Sequence, residues 1–333
     1  MKLFVWIGAF SLLLAVPLSA QSRAQAWSAP RTPDGHPDLQ GVWTNATLTP
    51  VERPASVQGK LTLSDQEAKA FEKKEEDELQ AQDGASDGPL IAAAGSSGTG
   101  GYNVLFIDRG AELARVDGLK RTSLIVDPPD GKIPALTDAA KQSTAAVVDR
   151  YDNIHDRPLS ERCLLGFSST AGPPMLPVLY NNNYQIVQTP DHIMILVEMV
   201  HDVRIIRMNA QHAPANVRKW LGDSVGHWEG DTLVVDTTNF SDYTTFYEDA
   251  LDGLQARTAK NLHVVERFQR ISADTILYRA AIDDPTTFTR RWTVEYPFLA
   301  AAGPVFEYAC HEGNYAMTDI MGGARKMEGA EKR

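Results

Sequence analysis

From Tyr180 onward the chain is a succession of short segments in which apolar and polar residues alternate, broken by the turn sequences TPDH, WEGD, SAD, DDPTTF and AAGP. Alternation with a period of two marks strands with one buried face, and turns this short join antiparallel neighbours. The pattern places strands near 184 to 188, 192 to 199, 203 to 208, 225 to 228, 232 to 237, 262 to 271, 275 to 283, 289 to 298 and 305 to 311. Such a meander must close on itself to protect its edges. The expected fold is therefore mainly β, an antiparallel up-and-down barrel.

In the last four strands one parity is apolar and aromatic: Leu262, Val264 and Phe268, then Ile276, Tyr278, Ala280 and Ile282, then Trp292, Val294, Tyr296 and Phe298, then Phe306, Tyr308 and Cys310. The other parity carries His263, Arg267, Arg279, Asp283, Arg291, Glu295, Glu307 and His311. That polar face is a solvated exterior or, in a ligand-binding barrel, a polar lumen.

The first half is organised differently. An arm over 29 to 43 contains Pro-Asp-Gly and His-Pro-Asp turns, ends at Trp43, and is expected on the surface. Ser64 and Glu67 form a capping box that opens a polar helix running to about residue 82, and Thr137 caps a second over 137 to 153. The glycine- and serine-rich stretch 83 to 101 reads as a loop, and YNVLFID and RTSLIVDPPDGKIP as strands. The plan is a signal segment over 1 to 26, an arm with helices and first strands over 27 to 160, a barrel over 161 to 325 and a polar tail over 326 to 333.

MKLFVWIGAFSLLLAVPLSAQSRAQA has the single leading lysine, short apolar run and small-residue cleavage sites of a secretory signal peptide, which predicts a periplasmic or secreted protein. Cleavage after Ala26 removes Lys2 and Arg23, so the formal net charge of −11 becomes two units more negative. A polyanion repels nucleic acid and anionic membrane surfaces, so neither is an expected partner. Export favours oxidised cysteines; with Cys163 and Cys310 the only two, a disulfide between them is expected.

The candidate chemistry gathers at predicted strand ends. His192 to Met208 would exceed about 50 Å as a single strand, so a turn or bulge near Val200 to Asp202 is expected, with His201 and Asp202 at its tip. Histidine beside a carboxylate suits general acid or base work. Tyr180, Asn181, Asn182 and Asn183 offer amides for a polar pocket or for an irregular turn. YACHEGNYAM supplies His311, Asn314 and Tyr315, with Glu307 just upstream. No H-E-x-x-H, C-x-x-C, EF-hand, Walker, Rossmann or G-x-S-x-G pattern occurs, and no cofactor is expected, a metal ion being a minor alternative.

RTSLIVDPPDGKIP, LSERCLLGF, YNNNYQIVQTP, EMVHDVRIIRM, GDSVGHWEGDTLVVDTTNF, ERFQRISADTILYRAAIDDPTTFTRRWT and EYACHEGNYAM, in that order, resemble a family of exported acidobacterial and proteobacterial proteins. The resemblance spans about residues 29 to 325 and implies a lipocalin-like or calycin-like barrel; it carries no catalytic residue over. The expected function is cofactor-independent acid-base catalysis (a lyase, isomerase or hydrolase) on a small, largely apolar and possibly aromatic molecule. His201 is the base or acid, Asp202 orients it, Arg204 and Asn182 stabilise negative charge, and His311 with Glu307 forms a second proton-transfer pair. The rival is a lipocalin-like carrier without turnover.

Overall fold

The computed structural model describes residues 27–57, 59–86, 107–148, 159–160, 162–166, 172–243, 247–249, 254–256, 260–312 and 315–331. Its strands are β1 (Gly41–Thr44), β2 (Thr62–Leu63), β3 (Arg115–Val116), β4 (Leu119–Arg121), β5 (Ile125–Asp127), β6 (Asn183–Gln188), β7 (His192–Val197), β8 (Val203–Met208), β9 (Asp223–Glu229), β10 (Thr232–Thr238), β11 (Tyr247–Asp249), β12 (Leu254–Ala256), β13 (His263–Arg270), β14 (Thr275–Asp283) and β15 (Trp292–Ala300). The helices are α1 (Asp65–Ser86), α2 (Asp138–Val148) and α3 (Ala316–Glu331).

Nine strands close a barrel in the order β1-β6-β7-β8-β9-β10-β13-β14-β15, with β1 pairing β15 at Leu299 and Ala300 to complete it and β5 pairing β15 at Thr293 and Val294. The barrel expected from alternation is present, with two corrections. β8 and β9 pair in parallel, because the segment 209–222 crosses over the wall instead of turning back as a hairpin. The stave that closes the barrel, β1, comes from the arm expected on the surface: Trp43 is buried, and its indole N–H donates to Leu39 O at 2.9 Å.

Ser64 and Glu67 form the expected capping box, Ser64 N–H donating to Glu67 Oε2 at 2.9 Å and Glu67 N–H to Ser64 Oγ at 3.3 Å. Thr137 Oγ1 accepts from Ala140 N at the start of α2. The stretch 83 to 101 begins inside α1, and its remainder lies outside the described residues, as do residues 1–26. Residues 305 to 311 form no strand: Phe306 is 67% exposed, and the chain runs as a strap across the barrel wall before α3, a helix in place of the expected polar tail. Among the described residues no helix is long and apolar enough to cross a membrane.

The apolar parity faces inward. Tyr184, Phe268, Tyr278, Tyr296 and Phe298 are fully buried and pack ring against ring with centroids as close as 5.0 Å, and the fully buried Trp292 packs edge-on against Phe288. The polar parity is therefore the exterior, where Arg279 and Arg121 pair with Glu295. One buried ion pair interrupts the apolar filling: Arg204 binds Glu266 through two hydrogen bonds of 3.0 and 2.6 Å, and the Tyr278 hydroxyl donates to the same carboxylate at 2.8 Å. Burial pushes the Tyr184, Tyr278 and Tyr296 hydroxyls above the usual phenol range, so all three stay neutral.

A nine-stranded barrel is slightly wider than side chains alone fill. The remaining space is taken by GPPML over 172 to 176, whose Met175 N–H donates to Tyr278 Oη and whose Met175 carbonyl accepts from Asn45 Nδ2 and Tyr296 Oη. Gly172 is required there: at φ +81°, an added Cβ would lie 2.7 Å from Met175 Cγ and 3.0 Å from Arg204 Nη1.

Candidate functional site

Among the described residues, space for a ligand is found on the outside of the wall. Two clefts flank the strap after β15 and share Pro304 and Phe306. One, of about 920 Å³, runs past Thr44, Asp108, Asn183 and Leu299. The other, of about 500 Å³, holds the densest chemistry: Val42, Gln185, Leu196, Glu198, His201, Val305, Phe306 and Glu307 line it.

His201 stands on the turn expected between β7 and β8. Met199–His201 form a single 3₁₀ turn, in which Val200 has φ 61° and His201 φ 49°. Two consecutive non-glycine residues in the left-handed region, one of them β-branched, are costly and recur at functional sites. The turn holds His201 exposed while Val200 is buried.

His201 Nδ1 lies 3.2 Å from the carbonyl oxygen of Tyr308. A carbonyl only accepts, so Nδ1 carries the proton, and the neutral ring keeps its lone pair on Nε2. The orienting partner is thus the backbone of the strap, and not Asp202 as expected. Asp202 is half-buried, and one of its carboxylate oxygens is enclosed with no hydrogen-bond partner among the described residues. Burial raises its carboxyl above the usual range, and His201 opposes that rise only when its ring is protonated.

The strap is held by Glu198, the buried residue that ends the apolar run of β7. Its Oε1 accepts from Phe306 N–H at 3.0 Å, and its Oε2 from Asn183 Nδ2 at 2.6 Å. Beyond Tyr308 the Cys163–Cys310 disulfide forms as expected, across a sequence separation of 147 residues. YACHEGNYAM therefore starts as the segment that orients His201 and is covalently anchored two residues later.

The other expected site residues scatter. Arg204 points into the lumen toward Glu266 and does not line the cleft. Asn182 is buried and spends its side chain on Val178 N–H and on the carbonyls of Val178 and Asp108, which is turn-building chemistry. Asn181 adopts φ 55° in the same turn, and Tyr180 packs against the core. Glu307 lines the cleft with His201; His311 is exposed and is absent from its lining, so the expected Glu307–His311 pairing is not assembled there. Tyr315 is exposed at the start of α3, and Asn314 lies outside the described residues.

Sequence reasoning missed Glu198, Phe306 and the Tyr308 carbonyl. The signal for Glu198 was present, a lone carboxylate within HIMILVEMV. It also missed a second charged cluster on the barrel exterior: Asp236 accepts from His212 Nε2 at 2.9 Å and His263 Nε2 at 2.8 Å. Asp223 accepts from Lys219, Arg207 and Ala213 N–H, which outweigh burial and lower its carboxyl to about 2. These bonds fasten the 209–222 crossover to the wall. Among the described residues no group of three or more His, Cys, Asp or Glu side chains is arranged to hold a metal ion.

Comparison of the chain with protein-family models, with curated proteins and with solved structures finds no match in any of the three.

Proposed function

We propose that the protein is an exported enzyme that works without an organic cofactor, using proton transfer by His201 on a small, largely apolar molecule bound between the barrel wall and the strap. The observation that carries this reading is the His201–Tyr308 carbonyl contact on a strained turn over the cleft, because it leaves a basic Nε2 on an exposed, oriented imidazole. Leu196, Val42, Val305 and Phe306 supply the apolar contact that would hold the substrate. The packed lumen weighs against the rival lipocalin-like carrier, whose ligand would occupy that space.

The test is a turnover screen of the secreted protein against small esters, lactones, enolisable ketones and β-substituted acids, with His201→Gln beside the wild type. Loss of about 10²- to 10⁴-fold in turnover at unchanged fold is the expected result. A His201→Gln protein as active as wild type overturns the assignment. Binding without turnover in either protein favours a carrier.

A further inference from the structure

We infer that the cleft selects an organic cation, a substituted ammonium carried on a compact apolar body. This deepens the reading above and rests on the cleft being the functional site.

The inference comes from the balance of charge on its walls. Among the described residues the lining includes two carboxylates, Glu198 and Glu307, one imidazole and no lysine or arginine. Glu198 is buried, and both of its oxygens accept hydrogen bonds from neutral donors, Phe306 N–H and Asn183 Nδ2; its negative charge is oriented and not cancelled. Neither Glu198 nor Glu307 has an ion pair with a described residue. Three carboxylates on the barrel wall are answered by cations: Glu266 by Arg204, Glu295 by Arg121 and Arg279, Asp223 by Lys219 and Arg207. This cleft sets two anionic side chains around space with no lysine or arginine among its described lining residues.

An anionic ligand would meet like charge from both carboxylates in a partly desolvated site, which costs affinity. A cation is drawn in by them and by the negative face of Phe306, 67% exposed at the edge of the cleft. The long-range field of a chain with net charge −11 steers cations in the same direction. Leu196, Val42 and Val305 then fit alkyl groups on the nitrogen better than the hydration shell of a metal ion or bare ammonium.

The experiment uses the full mature protein and the isosteric pair choline and 3,3-dimethyl-1-butanol, which differ only in the charge on the quaternary centre, with ligand-observed NMR and calorimetry as readouts. Choline is expected to bind about tenfold or more tightly than the alcohol, and Glu307→Gln and Phe306→Leu are each expected to remove about three- to tenfold of that preference. Equal or tighter binding of the neutral alcohol, or a choline preference untouched by both substitutions, overturns the inference. So does failure of both probes to bind at millimolar concentration. Because binding is read without turnover, a His201-dependent activity that persists after a neutral-preferring result leaves the proposed function standing and removes only the cation.

Discussion

Arg204 and Glu266 face each other across the barrel interior, joined by two hydrogen bonds and removed from solvent on every side. Arg204 Nε finds no hydrogen-bond partner among the described residues. Breaking one side of such a pair leaves an uncompensated buried charge, whereas removing both leaves none. Glu266→Gln is expected to destabilise by about 3–5 kcal/mol, and Arg204→Met combined with Glu266→Gln to recover most of that loss. Urea denaturation of Glu266→Gln, Arg204→Met and the double variant measures this; a double variant as unstable as the two single losses summed would refute the view that the pair acts as one unit.

The disulfide links residues 163 and 310, which on the chain-entropy view stabilises by roughly 5 kcal/mol for a loop of this length. It also fixes the strap two residues beyond the carbonyl that orients His201. Replacing both cysteines by serine is therefore expected to lower the melting temperature and, at temperatures where the variant remains folded, to lower turnover as well. Lost stability with full activity would show that Glu198 alone suffices to hold the strap.

Asp236 and His263 form a pH-dependent fastening. His263 titrates above its usual 6.5, chiefly through its hydrogen bond to Asp236, with Asp283 adding to the rise and burial and Arg291 opposing it. Asp236 titrates below its usual 3.8, first through His263 and then, against burial, through His212. The raised histidine stabilises fully below 6.5 and loses its contribution as pH rises through the folded value; the lowered aspartate stabilises fully above 3.8 and loses its contribution as pH falls. Both groups are partly exposed, so the difference in Tm between wild type and Asp236→Asn is expected to be about 2 °C at most. It should be widest between those two pH values and narrow on either side; a difference constant from pH 3 to 9 would contradict the linkage.

The inward parity of Ile276, Tyr278, Trp292 and Tyr296 was readable because alternation is a property of each strand by itself. Closure was not readable. GVWT is four residues set among turn signals, and its partners are 183 to 186 and 299 to 300, far away in sequence. Once β1 occupies the edge of β15, Phe306, Tyr308 and Cys310 have no edge left to pair with there, although their alternation imitates a strand. Gly322, Gly323 and Gly329 disguised α3, since glycine argues against a helix wherever it stands. At the site, the length of the 192 to 208 run located the turn bearing His201 and Asp202. The partner of His201 is a main-chain carbonyl 107 residues away, which no side-chain pattern encodes.

His201 itself separates a functional from a structural reading. Its backbone sits at φ 49°, a conformation that asparagine tolerates better than histidine does. Its side chain is exposed, and its one side-chain hydrogen bond among the described residues, to Tyr308 O, is a surface bond of modest net worth. The two effects of His201→Asn on the fold oppose each other, so stability is expected to stay within about 1 kcal/mol of wild type. Turnover, by contrast, is expected to fall about 10²- to 10⁴-fold, because asparagine cannot take up or release a proton near neutrality. Denaturation and kinetics on the same preparation give both numbers. A variant that keeps its activity would remove His201 from the chemistry; one that loses several kcal/mol of stability along with activity would make the imidazole a structural pin for the strap.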